Sequence, residues 1–171
     1  RDLLDFARQE RQDENVCDAA EVVRSASKLV RPQKRFRGLT LDVQVPDAPV
    51  TVAANPGRLE QVLLNLLFNA ADASPDGGTV FVTITTDGGK MILTVEDQGD
   101  GLDRGDMVKV FDPFYTTKEP GSGTGLGLAI SHSIAHSYGG TIHVRSEKGE
   151  GAAFSIILPL ADPTADDPRL G

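Results

Sequence analysis

NPGRLEQVLLNLLFNAADA, residues 55–73, is the stretch from which the fold is read. Asn55 is a good helix N-cap, and Pro56 suits the first helical position, where its missing N–H costs nothing. The run Ser74-Pro75-Asp76-Gly77-Gly78 stops the helix after Ala73. Between these signals Leu59, Val62, Leu63, Leu64, Leu66, Leu67, Phe68, Ala70, Ala71 and Ala73 are apolar, so the helix is expected to be buried on most sides. At ~100° per residue, Gln61, Asn65, Asn69 and Asp72 fall within one narrow stripe. Carboxamides inside a helix are poor helix formers and cost free energy without partners. Either they satisfy nearby backbone groups, or they face a polar cavity. The second reading is preferred, because two Asn and an Asp so aligned can bind Mg²⁺, water and phosphate oxygens.

Outward from this helix, Asp18 to Val30 carries Ala19, Val22, Val23, Ala26 and Val30 at the spacing of one buried helical face. Its last turn and the loop beyond hold Lys28, Arg31, Lys34, Arg35 and Arg37, read as a solvated, dipole-favoured end. Leu39, Leu41, Val43 and Val45 alternate as a half-buried strand, and Val50 to Ala53 is read as a short partner strand. Thr79–Thr86 and Met91–Glu96 form a hairpin around Asp87-Gly88-Gly89. A glycine-punctuated region from Asp97 to Gly123 leads into a helix over about Thr124–Ser137, and strands at Thr141–Ser146 and Ala153–Leu158 follow, joined at Gly149-Glu150-Gly151. This mixed order predicts an α/β sandwich with helices on one face of a sheet, and the hairpins argue against a doubly wound parallel sheet. Residues 1–15 are read as the end of a helix plus a charged linker, 16–160 as the folded domain, and 161–171 as a disordered Pro- and Asp-rich tail.

The bulk numbers narrow the function. At 171 residues, 39% hydrophobic and 25% charged, the chain fits one globular domain. It starts at Arg1 with no leader pattern, which reads as a fragment of something longer. No run approaches the ~20 apolar residues of a membrane span. Cys17 is the sole cysteine, so no internal disulfide forms. A net charge of -8 argues against nucleic acid as a partner. It also means that an anionic ligand must be held by local devices: backbone N–H groups, a helix N-terminus, a divalent cation or one lysine.

Two motifs meet that condition. Asp97-Gln98-Gly99-Asp100-Gly101 directly follows a strand; its glycines permit close backbone approach to a ligand, and its first carboxylate can accept from an exocyclic amine. Alone it could equally be a tight turn. Gly121-Ser122-Gly123-Thr124-Gly125-Leu126-Gly127-Leu128 runs into a helix, where exposed N–H groups and the dipole favour phosphate. It could also be a flexible loop capped by Thr124. It is neither a P-loop nor a dinucleotide fingerprint.

The order of these segments, with Phe111-Asp112-Pro113-Phe114-Tyr115-Thr116-Thr117-Lys118 between the two glycine motifs, resembles the catalytic domain of sensor histidine kinases. Asn65-Leu66-Leu67-Phe68-Asn69-Ala70 looks like that family's N box, Asp97–Gly101 its G1 box, Phe111–Phe114 its F box and Gly121–Leu128 its G2 box. The Thr-Thr-Lys segment and Asn69-Ala70-Ala71-Asp72-Ala73 are similar to the nitrogen-regulation subgroup. The resemblance runs from about Leu3 to Leu160.

It implies the Bergerat ATP-binding fold, a two-layer sandwich with a mixed, mainly antiparallel sheet. ATP and Mg²⁺ are the implied cofactors. Asn69 would ligand the metal and Asn65 support phosphate or metal-bound water, with Lys118 the lid cation; these three are the expected catalytic residues. Asp97 would receive the adenine amine, Gly99 and Gly101 would shape the pocket wall, and Gly123, Thr124, Gly125, Leu126, Gly127 and Leu128 would cradle phosphates. Asp72 on the helix stripe completes the expected ATP-binding set together with Phe114, Thr116 and Thr117, which fall within a lid from about Asp112 to Gly123. Asn65 stands where ATP-hydrolysing relatives usually place a Glu base, which favours phosphoryl transfer over hydrolysis.

The implied partners are a dimerisation domain carrying the phosphoacceptor histidine, absent here, and a response-regulator receiver domain. The fragment would be monomeric and the full-length protein a homodimer, with this domain cytoplasmic and any membrane anchor undetermined. His132, His136 and His143 are poor acceptor candidates. His132 and His136, at i, i+4, lack the Glu of a zinc-protease motif (Ser133 replaces it) and a visible third ligand. Ala152 departs from the family's frequent Thr, and Asp72 stands where many kinases carry Lys. The alternatives are a degenerate nucleotide- or partner-binding module, a topoisomerase-like ATPase, and a serine kinase of the anti-sigma-factor type.

Overall fold

The computed structural model describes residues 16–116 and 126–161. The expectations for 1–15, for Thr117, Lys118, Gly123, Thr124 and Gly125, and for the tail beyond 161 therefore lie outside the described residues. In chain order the elements are β1 (Val16–Asp18), α1 (Ala19–Val30), a 3₁₀ turn (Lys34–Phe36), β2 (Thr40–Gln44), β3 (Thr51–Ala53) and α2 (Pro56–Ala73). They continue with β4 (Thr79–Asp87), β5 (Lys90–Glu96), α3 (Arg104–Lys109), α4 (Gly127–Ser137), β6 (Thr141–Ser146) and β7 (Ala152–Pro159).

The central sheet has five strands in the order β2-β4-β5-β7-β6. Only the β2–β4 pair is parallel, which requires a crossover, and β3 with α2 supplies it. The neighbouring pairs are antiparallel, with Thr83 opposite Thr94 and Thr94 opposite Ser155. Alternation decides the faces: Val80, Val82, Ile84, Met91, Leu93, Val95, Phe154, Ile156 and Leu158 are buried toward the helices. On the opposite face Thr94 and Ser155 hydrogen-bond through their hydroxyls at 2.8 Å. The result is the expected α/β sandwich.

Local chemistry explains the helix starts. Asn55, in an extended conformation, accepts from the Arg58 N–H at 3.1 Å, with Pro56 opening α2. Asp18 caps α1 by accepting from Ala20 at 3.0 Å, and the same Oδ1 accepts from the Val50 N–H at 2.9 Å, tying α1 to the entry of β3. Leu59, Leu63, Leu66 and Leu67 are fully buried, so α2 is enclosed between the sheet and its helical neighbours as its composition requires.

Three expectations are corrected. Ala53 and its neighbours do not pair with the Leu39–Val45 strand. They pair antiparallel with Val16–Asp18 in a separate two-stranded sheet, a strand the sequence does not announce because it is short and merges into the α1 cap. The glycine-punctuated region contains a further helix, α3, capped by Asp103, whose Oδ1 accepts from Asp106 at 2.8 Å. The basic end of α1 is not merely solvated: Arg31 donates to the Leu41 carbonyl at 3.1 Å, and Arg35 pairs with Asp72 at 3.4 Å.

Candidate functional site

The carboxyl end of β5, the carboxyl half of α2 and the start of α4 meet at one place. Asp97 leaves β5 buried, with its N–H donated to the Ala152 carbonyl at 2.9 Å. Its Oδ1 accepts from the N–H of Gly99 at 2.9 Å and of Ala152 at 3.3 Å. Among the described residues no donor reaches Oδ2. Burial pushes the Asp97 pKa up, the two backbone bonds oppose that in part, and the neighbouring Glu96 charge adds to the rise. An acceptor atom without a protein donor, on a carboxylate held rigidly by its other oxygen, is suited to one incoming N–H.

The glycines here answer first to the protein itself. A Cβ on Gly99 would run into the Ala73 carbonyl at the end of α2, and one on Gly101, at φ +73°, into the Glu147 carbonyl. The G1-like segment thus lies flat between α2 and the 147–151 turn. Gln98 fixes it from outside by accepting from the Thr79 N–H at 2.9 Å.

The polar stripe of α2 divides. Asn65, half-buried, donates from Nδ2 to the Gly127 carbonyl at 3.3 Å and to the Ser131 Oγ at 3.1 Å, both on α4. Asp72 faces the other way, toward Arg35, whose guanidinium lies 5.1 Å over the Phe68 ring. Asn69 lies between them, half-buried, and Gln61 is exposed. Neighbours in helical projection therefore meet different partners, because α2 is gripped by α4 on one flank and by the 3₁₀ turn on the other.

Beyond α3, Phe111 packs against His132 at 5.2 Å between ring centroids and edge-on against Phe154 at 6.3 Å. Phe114 is 73% exposed with φ +66°, and Thr116 is exposed. The Tyr115 hydroxyl donates to Asp106, and its pKa is pushed up to about 12, chiefly by that bond. His132 and His136 stack at 6.3 Å, but among the described residues no group of three His, Cys, Asp or Glu could hold a metal ion. Helix α4 starts at Gly127, with Leu126 at the N-cap position and no side-chain cap bond; Leu128 is half-buried in its first turn.

Sequence reasoning missed Ser131, Arg35 and the framing role of the Ala152 backbone. Ser131 carries no signal in a helix of small and apolar residues. Its complete burial appears only in the fold.

Residues 54–162 match the family model described as histidine kinase-, DNA gyrase B-, and HSP90-like ATPase, and the chain belongs to that family. Sensor histidine kinase ZraS of Escherichia coli strain K12 is 36% identical over 152 residues, covering 89% of this chain and 32% of that protein. Sporulation kinase E of Bacillus subtilis strain 168 is 36% identical over 141 residues, covering 82% of this chain and 19% of that protein. The mycobacterial sensor histidine kinase MprB superimposes with a TM-score of 0.75 at 32% identity, over 85% of this chain and 97% of that one. Full-length ShkA in complex with AMPPNP gives 0.76 at 32% identity, over 88% of this chain and 32% of that one.

These likenesses make the chain the ATP-binding catalytic domain of a sensor histidine kinase. It spans only 19% to 32% of the length of the two curated relatives above. Among the described residues no helix is long and apolar enough to cross a membrane.

Proposed function

We propose that the domain binds ATP with Mg²⁺ between α2, α4 and the Asp97–Gly101 segment, and transfers the γ-phosphoryl group to a histidine on a dimerisation domain outside this chain. The observation that carries this reading is the Asp97 carboxylate: buried, held through Oδ1, and offering Oδ2 to an exocyclic amine. Gly99 and Gly101 keep the wall beside it low and flat.

The residues present fit a hard divalent cation. Asn65 spends both its N–H groups on α4, which leaves its side-chain oxygen as the group it can offer. A carboxamide oxygen suits Mg²⁺ or a water bound to it. Asn69, one turn further along α2, would hold the metal, whose charge would offset that of the phosphates. Gly123, Thr124, Gly125, Leu126, Gly127 and Leu128 would receive the phosphates at the α4 N-terminus, where no side-chain cap competes. Phe114, Thr116, Thr117 and Lys118 would close over them, with Lys118 adding a cation. Asp72, turned toward Arg35 on the other flank of α2, would take no direct part in holding the nucleotide.

An amide at position 65 cannot take a proton from water, so the domain holds ATP for transfer rather than hydrolysing it. The whole protein would act as a homodimer, pass the phosphoryl group to a response-regulator receiver domain, and keep this domain in the cytoplasm.

Calorimetric titration with ADP and a nonhydrolysable ATP analogue, with and without Mg²⁺, tests the reading on wild type and on Asn69→Asp. Metal-dependent binding in wild type, with its metal dependence altered by Asn69→Asp, supports it. No binding at millimolar nucleotide overturns it in favour of a degenerate module that serves a protein partner.

A further inference from the structure

Asn65 and Ser131 meet between α2 and α4 in an arrangement with a directional consequence. The Gly127 carbonyl can only accept, so the side of the Asn65 carboxamide facing it must be the NH₂ group. The second N–H of that group goes to the Ser131 Oγ at 3.1 Å. Both donors are thereby used, and Oδ1 is the carboxamide atom that meets no donor among the described residues. Ser131 is 0% exposed, one of three buried polar residues among those described, and Asn65 is its hydrogen-bond partner there. Gly127 is the first residue of α4, so the same carboxamide ties α2 to the helix that the glycine motif opens.

We propose that Ser131 is a positioning residue that fixes the Asn65 carboxamide with its oxygen toward the nucleotide site. This rests on the ATP-binding reading and adds a sign to it. An oxygen presented there attracts a metal ion or metal-bound water and repels a bare phosphate oxygen. Nucleotide without metal is therefore disfavoured at this position, and nucleotide with metal is favoured. A Ser131 that only filled space between two helices would change stability without changing that preference. Without its hydroxyl, one N–H of Asn65 loses its partner, the 3.3 Å bond to the Gly127 carbonyl alone holds the carboxamide, and the freed N–H is available to phosphate.

The test compares nucleotide affinity with and without Mg²⁺ in wild type, Ser131→Ala, Asn65→Ala and the double variant, with Ser131→Cys as a size-conserving weak acceptor. The expected result is that Ser131→Ala lowers the Mg²⁺-dependent gain in affinity about three- to tenfold, the effect of one hydrogen bond. Metal-free affinity should be unchanged or raised, Ser131→Cys should fall between, and Ser131→Ala should have no further effect on the gain once Asn65 is Ala.

An unchanged gain in Ser131→Ala, or an equal loss with and without metal, overturns the proposal; so does a full effect of Ser131→Ala in the Asn65→Ala background. Nucleotide-free protein supplies a separate readout: both Asn65 side-chain amide protons should be protected from solvent exchange in wild type, and one should lose protection in Ser131→Ala. Two unprotected protons in wild type would sink the positioning role. If wild type binds no nucleotide at all while the amide is protected as expected, the ATP-binding reading fails and the orientation stands.

Discussion

Replacing Asp97 by Asn separates binding from folding. Oδ1 of the new side chain can still accept from Gly99 and Ala152, so the NH₂ group must occupy the Oδ2 position. A donor then faces the exocyclic amine of adenine, itself a donor. The loss combines a charge-assisted hydrogen bond with a buried unpaired donor, about 2–4 kcal/mol together, or about 30- to 700-fold in Kd. Stability should move the other way or not at all: the wild-type carboxylate is penalised by burial, and a neutral amide escapes that penalty. Calorimetry with ADP beside thermal unfolding should therefore give a lost ligand and an undiminished Tm. Nucleotides of hypoxanthine, which carry an acceptor oxygen at that ring position, should lose less affinity than those of adenine. An ADP Kd within about threefold of wild type would refute the assignment of Oδ2 to the base. A Tm lowered by more than about 4 °C, roughly 1 kcal/mol or more in a domain of this size, would refute the account of the carboxylate as a folding cost.

The same carboxylate sets a pH dependence: with a raised folded pKa it contributes stability fully present below the unfolded value of about 3.9 and lost as pH rises through the folded value. Denaturation midpoints of wild type and Asp97→Asn should thus converge as pH is lowered through that window, and curves that diverge on acidification would contradict it. Gly101→Ala, with φ +73° and a Cβ directed into the Glu147 carbonyl, should cost about 2–4 kcal/mol in urea unfolding. Gly149→Ala, at φ +90° with nothing within 4 Å of its Cβ, should cost only about 1 kcal/mol. Equal costs would mean that φ alone matters. Leu66→Ala, deep between α2 and the sheet at 1% exposure, should cost about 2–5 kcal/mol by the same assay.

The amino-acid sequence by itself determined the elements whose signals are local. Asn55-Pro56 opens α2 and the Ser74–Gly78 run closes it, because capping and backbone geometry act within a few residues. The β4–β5 hairpin turns at Gly88-Gly89, both at positive φ, for the same reason. The order of four motifs was enough to name the family, and Asp97 could be singled out by its place at the end of a strand.

Pairings between distant segments were decided only by the tertiary structure. Helical periodicity placed Asn65, Asn69 and Asp72 on one stripe, yet Asn65 meets Ser131 on α4 while Asp72 meets Arg35. A projection gives the direction of a side chain, not what stands opposite it. Likewise Val50–Ala53 reads as a strand without saying that Val16–Asp18 is its partner, since backbone hydrogen bonds across a sheet carry little trace in the sequence of either strand. The glycines at 99 and 101 look like ligand glycines in the sequence, and the fold shows them yielding first to the carbonyls of Ala73 and Glu147. Local chemistry determined which elements form, and packing decided which polar groups are already satisfied and which atom, Oδ2 of Asp97 above all, meets no donor among the described residues.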